Sequence, residues 1–193
     1  MYAIQKHIPG LYLLCHHSRK MNSNGLLFAS YAPDKYYPFV SAPAGVFTLD
    51  TTRTNPVAFI AGGIGLTPLL SMLQTVIKQQ PERSAQLVYA VRDHHFHAFA
   101  EDLQQLAEQN PAVAHTIFYE NGTEEDIEQK HCSYIGRITD AWLYQHIPAD
   151  AEVSICGPRP FMQAMISILL RQGISMEHIH YEVFGPALAF SVD

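Results

Sequence analysis

A glycine-rich turn is the part of this sequence best suited to chemistry, because such a turn can hold the pyrophosphate of a dinucleotide. An apolar run, 57–60, precedes it and a helical pattern, 68–78, follows it. Between them stand Gly62, Gly63, Ile64, Gly65, Leu66, Thr67 and Pro68. Glycine allows a positive φ and close approach of a phosphate, and a helix start offers unpaired N–H groups. We expect Thr67 to cap the helix and Pro68 to occupy its first turn.

The same motif also has an ordinary interpretation. It reads G-x-G-x-x-P instead of the G-x-G-x-x-G of dinucleotide-binding turns, and a single glycine-rich turn is a weak signal. A plain strand-to-helix turn in an α/β core would show the same residues. The nucleotide-binding interpretation therefore depends on further motifs elsewhere in the chain.

Two more turns rich in glycine and proline follow predicted strands. Cys156-Gly157-Pro158 stands between an apolar run, 153–156, and a helical pattern, 160–171. Val183-Phe184-Gly185-Pro186 comes at the end of the last apolar run, directly after Glu182. A lone cysteine is more often a small buried apolar residue than a reactive thiol. The position of Cys156 in a Gly-Pro turn after a strand favours a functional role instead.

The elements that must position these turns alternate along the chain. Strands are expected at 57–60, 86–91, 113–119, 153–156 and 179–183, and helices at 68–78, 97–109, 140–147 (capped by Thr139) and 160–171. This alternation predicts an α/β fold with a doubly wound parallel sheet of five strands. Ligands of such sheets bind outside the carboxyl ends of the strands, which would gather residues 61–65, 91–93, 156–158 and 183–186. We predict that the acidic segment 123–130 is a solvated loop.

Composition excludes several classes of function. With a net charge of −6 and no cluster of Lys and Arg, the chain does not fit a nucleic-acid-binding protein. No run approaches the roughly 18 apolar residues that span a bilayer, so no membrane segment is expected. The three cysteines form no C-x-x-C pair, which favours reduced thiols and a cytoplasmic location. The His94-His95-Phe96-His97 cluster lacks the carboxylate or cysteine spacing of a metal site, so no metal is expected.

Four motifs in order give the chain a family resemblance. They are Ser41-Ala42-Pro43-Ala44-Gly45-Val46-Phe47, the glycine-rich turn, Cys156-Gly157-Pro158 with the Arg159-Pro160-Phe161-Met162 that follows, and residues 181–186. Together they resemble the reductase half of bacterial flavohaemoglobins, which are nitric oxide dioxygenases, and more broadly ferredoxin–NADP⁺ reductase-like modules. The likeness covers roughly residues 40–190.

The resemblance implies a role for each motif. Gly62 to Thr67 would cradle the pyrophosphate of NAD(P)H, and Cys156 would lie beside the nicotinamide ring. Phe184 would pack against the flavin, with Glu182 near the flavin edge, so the expected catalytic residues are Cys156, Glu182 and Phe184. The residues expected to bind cofactors are Gly62, Gly63, Ile64, Gly65, Leu66, Thr67, Pro68, Cys156, Gly157, Pro158, Val183, Phe184, Gly185 and Pro186.

The resemblance also implies an activity and its cofactors. Hydride would pass from NAD(P)H to FAD, and electrons would then leave singly toward a haem. These residues contain no helical segment of globin length, so the haem would belong to a globin part outside them. The chain is then an NAD(P)H-dependent flavin oxidoreductase module.

The first residues depart from the family pattern. We expect a truncated remnant of the flavin-binding β-barrel at 1–52 and the NAD(P)-binding domain at 53–193. Gly25-Leu26-Leu27-Phe28 stands where the family has its flavin motif R-x-Y-S. Without that arginine the flavin loses its main phosphate contact, so FAD is expected to bind weakly or not at all. A truncated or rearranged gene would explain this pattern.

Two choices stay open at this point. The chain is either a reductase module or a nucleotide-binding remnant that needs a flavin or globin domain in trans. The cofactor is either NADH or NADPH, because Arg92 stands near the expected ribose 2′-phosphate while the neighbouring Asp93 would favour a 2′-hydroxyl.

Overall fold

A computed structural model describes residues 47–183 of the chain. Nearly all of these residues belong to the second of two units into which the chain divides, Asp50–Asp193. The predictions for 1–46, including the barrel remnant and the segment 25–28, lie outside the described residues. So do those for Phe184, Gly185 and Pro186. The domain boundary at residue 53 stays a prediction.

Strands and helices alternate as predicted. The strands are β1 (Val57–Gly62), β2 (Ala85–Val91), β3 (Val113–Tyr119), β4 (Tyr134–Ile135), β5 (Glu152–Gly157) and β6 (Ile179–Val183). The helices are α1 (Leu66–Gln79), α2 (Ala100–Gln109), α3 (Glu124–Glu128), α4 (Asp140–His146) and α5 (Arg159–Arg171). All six residues of β1 and of β5 are buried, which is typical of central strands in a parallel sheet covered on both faces.

The strands form one parallel sheet in the order β4-β3-β2-β1-β5-β6. The chain moves outward from β1 to β4 and then returns to place β5 on the other side of β1. The switch point therefore lies between β1 and β5, where Ala61 pairs with Cys156. This confirms the doubly wound α/β fold and brings the glycine-rich turn and the Cys-Gly-Pro turn to the same crevice.

Helices cover both faces of the sheet. On one face, Trp142 of α4 and Met162 of α5 share a core with Ile60 and Ile155 of the central strands. Helix α1 packs against β1, β2 and β5, and its buried leucines are not part of that core. Because alternate strand residues point to opposite faces, α1 covers the side to which Phe59 points.

The predicted number of strands was wrong, because residues 47–183 already form a sheet of six. The missed strand, β4, contains only Tyr134 and Ile135, which pair with Phe118 and Tyr119 of β3. The ring of Tyr134 stacks on Phe118 with 5.0 Å between centroids. Two residues are too few to show an alternating pattern, so only the contact with β3 defines this strand.

The segment 123–130 is mostly exposed, as predicted, but it is not a loop. Residues Glu124–Glu128 form α3, and Thr123 and Asp126 make a reciprocal capping box at its start. Asp126 Oδ2 accepts from Thr123 N at 2.8 Å, and Thr123 Oγ1 accepts from Asp126 N at 3.3 Å. Asp126 is buried, with 5% of its surface exposed. The pattern T-x-x-D is a local signal for this cap, since Asp performs the role usually given to Glu.

Thr123→Ala is expected to lower the free energy of unfolding by about 1 kcal/mol, because it removes one half of the capping box. Chemical denaturation monitored by circular dichroism measures this change. Thr123→Ser keeps the hydroxyl and serves as the control, which should stay close to the parent chain. Equal stability of the Ala variant and the parent would contradict the importance of the cap.

The helix predicted at 97–109 begins later than expected. A short 3-10 turn occupies His94–Phe96, and α2 starts only at Ala100. Phe99 adopts a left-handed conformation with φ of 60°, which separates the two helical segments. A left-handed phenylalanine carries no sequence signature, so the spacing of apolar residues overestimated the helix.

A buried carboxylate holds together the amino ends of the strands, at the edge opposite the crevice. Glu152, the first residue of β5, is 4% exposed and pairs with Arg53. Its Oε1 lies 2.6 Å from His178 Nδ1 and its Oε2 lies 2.9 Å from His180 Nε2. The cluster links the segment before β1 to β5 and β6. It therefore holds in place the strands whose other ends form the crevice.

Candidate functional site

The glycine-rich turn joins β1 to α1 through a short 3-10 turn, Gly63–Gly65. The prediction that Thr67 caps α1 was wrong, because the N-cap is Gly65 and no side chain caps this helix. Thr67 lies one residue inside α1, and its Oγ1 donates to Ile64 O at 3.2 Å. Pro68 does occupy the first turn, as expected. No side chain occupies this helix start, but Leu66 N already donates to Gly63 O and Ile64 O and Pro68 has no N–H. At most two of the first four N–H positions of α1 can therefore bind an anion.

The glycines of this turn have different functions. Gly63 has a φ of 52°, the left-handed region that glycine adopts without strain. Gly65 has an ordinary φ of −61°, so its backbone conformation does not require glycine. A Cβ on Gly65 would lie 2.1 Å from the carbonyl oxygen of Cys156 and 2.7 Å from Gly157 N. Gly65 is therefore required for close packing between the two turns.

A second close contact joins the same two turns. A Cβ on Gly157 would lie 3.0 Å from Gly62 Cα and 2.9 Å from Phe161 Cδ1. A Cβ on Gly62 would likewise lie 2.8 Å from Phe161 Cδ1. The two motifs, about a hundred residues apart in sequence, thus form one backbone surface at the switch point, as the nucleotide-binding interpretation requires.

Two of the three expected catalytic residues are neighbours across β5 and β6. Cys156 pairs in register with Glu182, and its Sγ donates to Glu182 O at 3.8 Å. Cys156 is fully buried, and burial followed by the charge of Glu182 raises the pKa of its thiol far above the usual range. Burial also raises the pKa of Glu182. A raised pKa and full burial both disfavour a thiolate nucleophile at Cys156.

A cleft of about 660 Å³ opens at the carboxyl edge of the sheet. Of the predicted site residues, three line this cleft: Gly62, Gly63 and Pro158. Arg92 lines it as well. The predicted residues Ile64, Gly65, Leu66, Thr67, Pro68, Cys156 and Gly157 are not part of its lining. Sequence reasoning missed Phe96, Glu120, Arg137 and Phe161 as lining residues. The position of Glu120 directly after β3 was an available signal, because every strand end reaches this edge.

Arg92 and Asp93 make different contacts. Arg92 lines the cleft, and its guanidinium lies 3.9 Å from the centroid of the Phe96 ring. Asp93 caps the 3-10 turn, with Oδ1 accepting from His95 N at 3.0 Å and Oδ2 accepting from Arg92 Nε at 3.3 Å. Glu120 and Arg137 form an ion pair at the same end of the cleft. Arg92 and Glu120 therefore line the cleft, whereas Asp93 is not part of its lining.

Among residues 47–183, no group of three or more His, Cys, Asp or Glu residues is arranged to hold a metal ion. The helices in the same range are all too short or too polar to cross a membrane.

The residues present fit a dinucleotide. An uncapped helix start, a left-handed glycine and a second Gly-Pro turn meet at the switch point of a parallel sheet. The adjoining cleft has the size typical of ligand pockets. The fold and the site together define a nucleotide-binding domain of the doubly wound class.

The comparison with protein families gives the same result. Residues 59–166 match the family described as the oxidoreductase NAD-binding domain, which is more than half of the chain. The chain belongs to this family. It is therefore an oxidoreductase NAD-binding domain, as predicted. The matched residues run from β1 into α5, and β6 lies outside them.

Individual relatives show which kind of oxidoreductase this chain resembles. The chain is 41% identical over 149 residues to a flavohemoprotein of Bacillus thuringiensis, a match covering 77% of this chain and 37% of that protein. A flavohemoprotein of Rhodopirellula baltica is 37% identical, with 75% of this chain and 36% of that protein covered. The chain thus spans little more than a third of the length of the curated relatives that it matches.

Solved structures agree with this relationship. The FAD/NAD-binding domain of nitric oxide dioxygenase from Vibrio cholerae matches with a TM-score of 0.66 and 34% identity, covering 75% of this chain and 57% of that one. Flavohemoglobin from Malassezia yamatoensis, determined with bound FAD and heme, matches with a TM-score of 0.61 and 30% identity, covering 71% and 33%. The predicted resemblance to the reductase part of flavohaemoglobins is confirmed.

Proposed function

We propose that this chain is the NAD(P)H-binding part of an NAD(P)H:flavin oxidoreductase of the flavohaemoprotein type. When bound, NAD(P)H would supply hydride to an FAD, and a globin part would carry the haem that receives the electrons. The observation that carries the proposal is the joined backbone surface of the glycine-rich turn and the Cys-Gly-Pro turn at the switch point. The expected catalytic set remains Cys156, Glu182 and Phe184.

The residues of the chain have separate tasks in this proposal. The N–H groups at the start of α1 hold the pyrophosphate between Gly63 and Pro158. The half-buried Glu182 and the buried thiol of Cys156 would lie beside the nicotinamide, and burial raises the pKa of both groups. When bound, NAD(P)H supplies the hydride, and the protein contributes orientation and exclusion of water.

The flavin and the globin can come from separate chains. Gly25-Leu26-Leu27-Phe28 lacks the Arg, Tyr and Ser expected beside a flavin pyrophosphate, so weak FAD binding by the chain alone is part of the proposal. The second candidate function follows from the same observation: a nucleotide-binding module that turns over only with a flavin or globin domain in trans. Cys132 and Cys156 are free and buried, which suits a cytoplasmic location.

Absorbance spectra of the purified chain, with and without added FAD and then NADH under anaerobic conditions, distinguish these functions. A retained flavin band that bleaches with NADH would support a complete reductase. A chain that binds NADH by calorimetry but holds no flavin would support the module that depends on a partner. A chain that binds neither NADH nor NADPH would contradict both functions, and the ratio of the two affinities decides between the two nucleotides.

A further inference from the structure

Buried polar side chains form a row along one face of β5. The row consists of three alternate residues, Glu152, Ser154 and Cys156. Val153 and Ile155 between them belong to the core that α4 and α5 cover, so the polar row points to the opposite face of the sheet. On β6, His180 and Glu182 lie on that same face, because Ile179 also belongs to the core. Two residues of the row bond to β6, one at each end.

The two bonds join a buried carboxylate and a buried thiol to the same strand. At the amino end of the row, Glu152 Oε2 lies 2.9 Å from His180 Nε2. Because a carboxylate only accepts hydrogen bonds, this ring nitrogen carries the proton and donates. Four residues and about 13 Å further along β5, Cys156 Sγ donates to Glu182 O at 3.8 Å. The strand that bonds the carboxylate therefore also closes over the thiol, two residues later.

The strand β6 has a sheet neighbour on one side only among residues 47–183. It ends the sheet order, so its backbone pairs with β5 alone. On the face of the polar row, the bond from His180 to Glu152 is charge-assisted, and such bonds are about twice as strong as neutral ones. His178, the residue before β6, lies with Nδ1 2.6 Å from the other oxygen of the same carboxylate. The carboxylate of Glu152 therefore limits the separation of β6 from β5.

We propose that His180 is a positioning residue, which holds β6, and with it the nicotinamide end of the site, in place through its bond to Glu152. The proposal rests on the proposed function, which places the nicotinamide beside Cys156 and Glu182. If the bond is lost, the edge strand opens more often, Glu182 moves away from Cys156 and the thiol is uncovered. The rest of the nucleotide would extend from the switch point to the other side, so its binding should not respond to this opening.

Two substitutions that differ by one methylene test the bond. His180→Gln places its amide N–H close to the position of the imidazole Nε2, so it can still donate to Glu152 Oε2. His180→Asn places its amide at the level of Nδ1, which is too short for that contact. His131→Ala is the control, because His131 Nδ1 lies 3.6 Å from another buried carboxylate, Asp126, at the opposite edge of the sheet and outside the cleft lining.

Calorimetric titration of the full chain with NADH and with ADP is the first measurement. His180→Asn is expected to weaken NADH about fivefold, which is the effect of one hydrogen bond. The same variant should bind ADP as the parent does, because ADP lacks the nicotinamide. His180→Gln should restore the affinity for NADH, and His131→Ala should leave both affinities unchanged.

The rate at which iodoacetamide modifies Cys156 measures the opening of β6 without any ligand. Peptide mass spectrometry gives this rate separately for each cysteine. Cys132 is also buried and lies between α3 and β4, so it is an internal reference that reacts when the whole domain unfolds. His180→Asn should raise the rate at Cys156 about fivefold and leave the rate at Cys132 unchanged. His180→Gln should return the rate at Cys156 to that of the parent.

The outcomes separate failure of the positioning role from failure of the proposed function. If the parent chain binds NADH and ADP, and His180→Asn changes neither the NADH affinity nor the labelling of Cys156, the positioning role is refuted and the proposed function stands. Equal losses for NADH and ADP, or equal rises at Cys132 and Cys156, also refute it, since they indicate general destabilisation. If the parent chain binds neither ligand, the proposed function fails and the positioning role fails with it.

Discussion

Gly65→Val is expected to abolish measurable binding of NADH and to lower the melting temperature of the chain. The Cβ alone would lie 2.1 Å from Cys156 O and 2.3 Å from Cys156 C. These are backbone atoms at the centre of the sheet, so they cannot move aside as the end of a flexible side chain would. Overpacking of this kind costs about 1–3 kcal/mol, and the branched Val side chain adds further contacts.

The loss of binding has a geometric cause. Separation of the two turns would displace the start of α1 from the Cys-Gly-Pro turn, and the backbone surface that holds the pyrophosphate would open. Because the phosphate is held by backbone groups of both turns, their separation would remove the geometry on which binding depends. Calorimetry with NADH and thermal unfolding measure the two effects separately.

Gly173→Ala is the matched control for this prediction. Gly173 follows α5 with a φ of 88°, and a Cβ on it would meet no atom within 4 Å. Alanine there therefore costs only backbone strain, about 1–2 kcal/mol. The Ala variant should lose stability and still bind NADH. NADH binding by Gly65→Val at parental affinity would refute the assignment of the glycine-rich turn as the nucleotide site.

Glu152→Gln is expected to lower the free energy of unfolding by about 2 kcal/mol near neutral pH. The change removes the charge that pairs with Arg53 and that bonds His178 and His180, while the shape of the side chain is kept. Hydrogen bonds to a charged group contribute about 1.5–3 kcal/mol. The three partners are partly exposed to water, which moderates the loss.

The pH dependence of this effect has a definite sign. Burial raises the pKa of Glu152, but the bonds from His180, His178 and Arg53 together bring it below the ordinary value of 4.5. The unfolded chain therefore binds a proton at this carboxyl more readily than the folded chain does. The stabilisation is complete above the unfolded pKa and is lost as the pH falls through the folded pKa. The difference between parent and variant should therefore shrink below about pH 4.5.

Denaturant unfolding at several pH values measures this difference. Asp140→Asn is the control, because Asp140 pairs with Arg171 on the surface, where the side chains are 65% and 61% exposed. An exposed pair contributes little, so this variant should stay within about 0.5 kcal/mol of the parent. If the Glu152→Gln and Asp140→Asn variants have the same free energy of unfolding, the buried cluster does not stabilise the sheet.

Local patterns in the sequence determined most of the fold. The strands 113–119 and 179–183 have the predicted bounds, because apolar β-branched runs bounded by turn residues are recognisable without their neighbours. Thr139 caps α4 as predicted, since a cap depends only on residues within one turn. The same locality explains why the glycine-rich turn and the Cys-Gly-Pro turn were recognised as motifs.

Contacts between distant segments show how these motifs pack against each other. The alternation of strand and helix patterns along the chain predicted the doubly wound fold, and short motifs were enough to recognise the two turns and the family resemblance. The packing role of Gly65, the two-residue strand β4 and the Glu152 cluster instead depend on contacts between segments brought together by the sheet. Such contacts arise from the register and order of the strands, and patterns within short stretches of sequence do not reveal them.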